Sequence, residues 1–239
     1  MKKAILIQSR LSSKRFPKKM LQLINGVPLV EFVYRRCCRS SGADVVSVIT
    51  SADPTDDELS EYCSGRGIDV FRGSLHNVLK RYIDAAAFYE APLLSRVCGD
   101  SPFVDVTLID AMFQMIENEC LDYVAPNKET CIAGLDSEVV TLSSLKRVLE
   151  GDVASDELEH VTLHIKNNRE MFKARLLEVN LRPTSLSNVS LTVDYPEDMT
   201  FCCAIAEMLG GRFDFSSSEI LQIVHSNGFR NHYGGGYGL

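Results

Sequence analysis

A mainly parallel α/β sheet covered by helices on both faces is the fold this sequence predicts, on three observations. Candidate strands such as Ala4-Ile5-Leu6-Ile7 and Val45-Val46-Ser47-Val48-Ile49 are apolar almost throughout, the pattern of strands buried on both faces. They alternate with segments of helical periodicity four times before residue 120, which calls for helical crossovers between parallel strands. The chain has 239 residues and is 45% hydrophobic, enough for one large core, so residues 1 to 230 are expected to form a single domain.

Residues 3 to 9 are the first expected strand. Pro28 to Ser41, apolar at 29, 30, 33 and 37 with Gly42 behind it, has the pattern of a helix closed by glycine. After the second strand at 45 to 49, Thr55 with Asp56, Asp57 and Glu58 has the form of an N-cap and acidic first turn, opening a helix to about Gly65. Ile68 to Phe71 is a short strand, Leu75 to Tyr89 a long amphipathic helix, Leu93 to Cys98 a strand and Val106 to Glu119 a helix. Beyond Tyr123 the rhythm weakens. Residues 135 to 142 and 173 to 180 are expected strands, 155 to 168 a helix, and Leu191-Thr192-Val193 a short strand before Pro196 opens a helix at its first position. Residues 130 to 180 are expected to form an excursion that covers the site or builds a homodimer contact. The Gly-rich end, residues 231 to 239, is expected to be a flexible tail.

Composition excludes several classes. No run approaches the roughly 18 to 20 apolar residues that cross a bilayer, and the short apolar run after Met1-Lys2-Lys3 leads into charge, unlike a signal-peptide core. A cytoplasmic protein without a membrane partner is expected. The eight cysteines include the neighbours Cys37-Cys38 and Cys202-Cys203 but no CxxC, which suits reduced, mostly buried thiols. The net charge is −7, yet the first thirty residues hold seven Lys/Arg and no Asp or Glu, so the remainder carries −14. An acidic balance argues against nucleic acid as a partner, while one cationic loop suits a small polyanion.

That loop is "QSRLSSKRFPKKM", directly after the first strand. Neither GxGxxG nor GxxxxGK[ST] is present, so charge replaces glycine as the means of holding phosphate. Arg10, Lys14, Arg15, Lys18 and Lys19, interleaved with Ser9, Ser12 and Ser13, suit a loop that grips a triphosphate; solvated surface is the plainer alternative. In "CGDSPFVD", Asp100 ends a strand, a place suited to holding Mg²⁺ against phosphates or simply to a turn. In "LTVDYPEDM", Asp194 occupies a similar place, with helix capping by Asp194 or Tyr195 as the alternative. Two such aspartates and a cationic loop on one sheet edge would make a phosphoryl-transfer site. His160 and His164, four apart on the expected helix, would share one face, but lack a third zinc ligand.

"IQSRLSSKRFPKKML" resembles the A-R-x-x-S-[TK]-R-x-P-x-K signature of the cytidylyltransferases that activate acidic sugars, most closely their SpsF-like branch. "VFRGSLHNVLKRYIDAA", "RVCGDSPFVD", "GLDSEVV", "EHVT" and "LTVDYPEDM" follow in the same order, so the resemblance spans residues 4 to about 205. It implies a Rossmann-like, GT-A-like nucleotidyltransferase that uses CTP and Mg²⁺ to make a CMP-sugar, often as a dimer. Carried over by position, Ser9, Arg10, Ser13, Arg15 and Lys19 match the triphosphate segment, Arg72 and Ser74 the segment at the cytidine end, and Asp100 and Asp194 the metal-binding aspartates. Asp136, Glu138 and His160 match segments that face the acceptor sugar. Three positions depart: Ser12 replaces a usual Gly, Ile132-Ala133 replaces a frequent Pro-Arg, and Tyr195 replaces a commoner Thr. The implied chemistry is attack of a nonulosonic or related 2-keto-3-deoxy sugar acid on the α-phosphorus of CTP, with Arg10, Arg15, Lys19 and Asp100 in the catalytic roles. A nucleotidyltransferase for another acceptor, a GT-A-like glycosyltransferase and a non-catalytic nucleotide-binding protein are the alternatives.

Overall fold

β1 (Lys3–Gln8) runs through the middle of the molecule, and its apolar residues Ala4 to Ile7 are all fully buried in the computed structural model, which describes residues 1–228. A tight hairpin of β2 (Leu23–Ile24) and β3 (Val27–Pro28) turns through Asn25 and Gly26, both at positive φ, and delivers the chain into α1 (Leu29–Cys37). There follow β4 (Val45–Ser51), α2 (Asp57–Gly65), β5 (Val70–Gly73), α3 (Val78–Phe88), β6 (Leu93–Cys98) and α4 (Val106–Glu119). The second half adds β7 (Tyr123–Pro126), β8 (Glu138–Thr141), α5 (Leu142–Glu150), α6 (Ser155–Glu159), α7 (Leu163–Asn167), β9 (Ala174–Leu177), α8 (Pro196–Met208) and α9 (Ser217–Ser226).

The seven strands of the main sheet are ordered β5-β4-β1-β6-β8-β7-β9, and β8 alone among them runs against its neighbours. The expected mainly parallel α/β architecture is therefore present. Alternate residues of β1 serve two cores. Ile5 and Ile7 pack with α1, α4, α8 and α9, whereas Ala4 and Leu6 pack with α3, α5 and α7. From β1 the chain moves outward through β4 to β5, then crosses back to place β6 on β1's other side. Such a reversal leaves a crevice at the carboxyl ends of β1 and β6, where ligands bind in open α/β sheets.

Several elements differ from the sequence expectation. The helix expected from Thr55 starts at Asp57: Asp53 accepts a hydrogen bond from the Thr55 N–H, residues 54 to 56 make one 3₁₀ turn, and Asp56 points inward, fully buried. The helix expected from Leu75 starts at Val78, because Asn77 caps it through the Lys80 N–H. Residues 155 to 168 divide into α6 and α7 at His160, so His160 and His164 do not share a helical face. Leu191 to Val193 form no strand; single hydrogen bonds tie Leu191 to Ala133 and Val193 to Asp100. Residues 130 to 180, the expected excursion, contribute β8 and β9 to the main sheet. The Gly-rich tail lies outside the described residues. None of the cysteines is paired, and four are buried. No helix among the described residues is long and apolar enough to cross a membrane.

Candidate active site

The cationic loop leaves β1 and is held from inside. Asp56, at the floor, accepts hydrogen bonds from the N–H of Leu11 (2.8 Å) and of Ser51 (3.2 Å), joining the loops after β1 and β4. Leu11 is buried, and its carbonyl accepts from the N–H groups of Ser13 and Lys18. Lys18 itself takes a positive φ and directs its ammonium to Glu58, whereas the next residue, Lys19, turns its side chain inward and is only 8% exposed.

Lys19 brings the two predicted aspartates together. Its Nζ donates to Asp100 Oδ2 at 2.8 Å and to the Val193 carbonyl at 2.7 Å, and lies 3.7 Å from Asp194 Oδ1. The alternative reading of Asp194 as a helix cap is decided by its neighbour. Asp198 Oδ2 accepts from the N–H groups of both Asp194 (2.9 Å) and Tyr195 (2.8 Å), closing the first turn of α8 and leaving the Asp194 carboxylate for the site. Asp105, by contrast, is absorbed in structure: it caps α4 and accepts from Ser217 on α9. Arg15 pairs with Asp194 and lies 5.4 Å from the Tyr195 ring centroid, a cation–π contact that gives the unusual Tyr195 a role.

Beside Lys19 and Asp100 is a cavity of about 200 Å³ lined also by Ser9, Arg10, Ser12, Ser13 and Gly99 among others. Gly99 leaves its floor open, since a Cβ there would meet Ser9 Oγ at 2.2 Å and Gln8 O at 2.9 Å. Ser9 Oγ is buried and has no hydrogen-bond partner among the described residues. Arg10 donates to Glu159 on α6 and to the Leu75 carbonyl. Arg72 and Ser74 do not line this cavity. Arg72 is committed to Ser51 O (2.9 Å), Asp53 O (3.0 Å) and Asp57 (2.6 Å), and the Ser74 hydroxyl accepts from the Asn77 N–H. These contacts stiffen the wall behind the loop.

A second cavity, about 710 Å³, shares Cys98 and Asp100 with the first. Asp136, Glu138 and His160 all line it. Burial pushes the Asp136 carboxyl above its usual range, although it accepts from the Gly134 N–H at 2.9 Å. Glu138 is engaged differently. It accepts from Arg96 (3.1 Å), Thr162 (2.6 Å) and Tyr123 (3.0 Å) and pairs with Lys166. Burial works to raise its pKa, but Arg96 and Lys166 outweigh that effect and hold the carboxyl well below the ordinary 4.5. Glu138 thus organises the wall rather than offering a free carboxylate. Burial pushes the Cys98 thiol up to about 11, so it stays neutral between the two cavities.

Sequence reading missed Arg96, Lys128, Lys166 and Arg182, which also line this cavity. One signal existed for Arg96, a cation in the otherwise apolar, buried strand "LLSRVC". The others sit in weakly patterned segments whose neighbours only the fold supplies.

The Asp100 and Asp194 carboxylates are hard oxygen donors at one rim. No group of three His, Cys, Asp or Glu that would cage a metal occurs among the described residues. Such a donor set suits Mg²⁺, which commonly takes one or two protein carboxylates and fills its shell with water and phosphate oxygens.

The family model described as cytidylyltransferase matches residues 4–203. The spore coat polysaccharide biosynthesis protein SpsF of Bacillus subtilis (strain 168) is 31% identical over 231 residues, covering 93% of each chain. The 3-deoxy-manno-octulosonate cytidylyltransferase of Wolinella succinogenes is 27% identical over 164 residues, 66% of this chain and 59% of its own. Among solved structures, a cytidylyltransferase from Leptospira borgpetersenii superposes with a TM-score of 0.88 at 27% identity, over 98% of both chains.

Proposed function

The chain belongs to the cytidylyltransferase family, a CTP-dependent class of nucleotidyltransferases, and from that premise we propose that it transfers CMP from CTP to a 2-keto-3-deoxy sugar acid for surface-glycan biosynthesis. One observation carries the reading: a cationic cavity sized for phosphates adjoins, at Cys98 and Asp100, a larger cavity with charged residues on its lining that suits an acceptor.

The acceptor's hydroxyl oxygen attacks the α-phosphorus. A new P–O bond forms as the bond between the α-phosphorus and its bridging oxygen to the β-phosphorus breaks, and pyrophosphate leaves with that electron pair. The hydroxyl proton passes to solvent, its loss made easier where the nucleophile is an anomeric hydroxyl acidified by the ring oxygen. Arg10, Arg15 and Lys19 neutralise the β,γ-phosphates, and Ser9 and Ser13 supply hydrogen bonds. Asp100 and Asp194 would hold Mg²⁺, which when bound supplies charge stabilisation at the α-phosphate. Asp136 and His160 face the acceptor. The test is pyrophosphate release with CTP, UTP, ATP or GTP across a panel of acidic sugars. Release that needs CTP and a keto-acid sugar supports the reading, and release with neutral sugars alone overturns it.

Two expectations follow from the smaller cavity. Gly99→Ala should weaken CTP binding by about tenfold or more, because overpacking of roughly 1–3 kcal/mol falls on Ser9 at the cavity floor; titration calorimetry reads it, and unchanged affinity would mean the floor yields. Glu159→Gln should lower the KM for CTP by about two- to fivefold, since the half-exposed Glu159 carboxylate competes with phosphate for Arg10 and such pairs are worth about 1 kcal/mol or less. A raised KM would instead make Glu159 a positioning group for Arg10.

A further inference from the structure

Most charges on the larger cavity's lining are already balanced: Arg96 and Lys166 on Glu138, and Arg15 on Asp194. Arg182 and Lys128 are not. Among the described residues neither makes an ion pair, and the charge of Lys128 reaches Asp136 only at longer range. Arg182 is nevertheless fixed. Its main chain follows Leu181, which is bridged to Cys131, with the Leu181 N–H on Thr130 O at 3.0 Å and the Ile132 N–H on Leu181 O at 3.2 Å. Its guanidinium donates to the Lys128 carbonyl and to the Ser187 carbonyl, each at 2.7 Å.

Both of those acceptors are neutral, so the positive charge of Arg182 is oriented without being cancelled. Two bonds leave three of the five guanidinium N–H groups for a ligand. A planar fork held this way matches a carboxylate in a bidentate pair, which a neutral sugar hydroxyl cannot replace. Asn188, Ser190 and Thr192 on the same lining offer amide and hydroxyl groups suited to sugar hydroxyls. We infer that Arg182, with Lys128 beside it, is the carboxylate subsite of the acceptor cavity, setting the enzyme's preference for a sugar acid over its neutral counterpart. This rests on the function proposed above and names the residues that discriminate the acceptor.

The experiment compares wild type, Arg182→Gln and Arg182→Lys on 2-keto-3-deoxy sugar acids of eight and nine carbons and on the C1 amide of each, following pyrophosphate release at saturating CTP. Wild type should prefer acid to amide. In Arg182→Gln the KM for the acid should rise about 10- to 100-fold, the loss of charge-assisted hydrogen bonds, while the KM for the amide and for CTP stay within about threefold of wild type. Arg182→Lys should recover part of the preference. An Arg182→Gln that keeps the acid-over-amide ratio overturns the subsite and leaves the proposed function standing. Wild type that accepts no acid overturns the proposed function and the subsite with it. A merely structural role for Arg182 would raise the KM for acid and amide together and lower the melting temperature, which also overturns the subsite.

Discussion

Lys19→Ala is expected to lower kcat by about 100- to 1,000-fold, the cost of removing one preorganised electrostatic group from an active site. Lys19 Nζ holds three oxygens at once: Asp100 Oδ2, the Val193 carbonyl and, at 3.7 Å, Asp194 Oδ1. Without it Asp100 has no ion-pair partner among the described residues and Asp194 keeps only Arg15, so incoming negative charge is repelled where it must be stabilised. Truncation also leaves the Val193 carbonyl without its side-chain donor, at about 1–3 kcal/mol. The melting temperature should therefore fall by roughly 2–12 °C at 2–4 °C per kcal/mol, leaving a folded chain at 25 °C. Steady-state kinetics at saturating CTP, with circular dichroism as the folding control, read the effect. A kcat within about threefold of wild type would remove Lys19 from the chemistry. Lys19→Arg should rescue little, because a planar fork does not reproduce a compact ammonium among three oxygens.

Glu138→Ala is expected to destabilise the fold by about 3–5 kcal/mol, the cost of removing one partner of a buried ion pair. Arg96 and Lys166 would then lose their shared carboxylate, and the Tyr123 and Thr162 hydroxyls a common acceptor. The effect should depend on pH with a definite sign. The folded-state pKa of Glu138 lies below the ordinary 4.5, so its contribution is complete above about pH 4.5 and is lost as pH falls through the folded-state value. Urea unfolding of wild type and variant should give its widest gap near neutral pH, narrowing below about pH 4.5. A gap under about 1 kcal/mol at pH 7, or one that widens in acid, would contradict this account.

The legible part of the molecule lies mostly before residue 120. β1, β4, β6 and α4 follow from consecutive apolar runs and helical periodicity, signals set by a residue's nearest neighbours. The cationic loop and both aspartates were visible for a related reason, since charge concentrated at the end of an apolar strand has few local explanations. Errors cluster where a side chain some distance off decides the backbone. Asp56 leaves the first turn of α2 to hold Leu11 forty-five residues away, and Asn77 rather than an earlier residue stops α3 from extending. β7 is four residues long, too short for any period to register.

Charge state and pairing were beyond local pattern altogether. Whether Asp194 caps a helix or serves the site turned on Asp198, four residues on, winning the two N–H groups of that turn. Nothing local shows that β6 and α7 bring Arg96 and Lys166 to Glu138, or that the Lys128 and Ser187 carbonyls orient Arg182 on the cavity wall. Sequence alone settled the sheet class, the cationic loop after the first strand and the family, because each is written in contiguous residues. Which charges are cancelled and which remain to meet a substrate was settled only in three dimensions. A charge is neutralised by whatever stands within a few ångströms of it, and the partners of Lys19, Glu138 and Arg182 include groups tens of residues or more away along the chain.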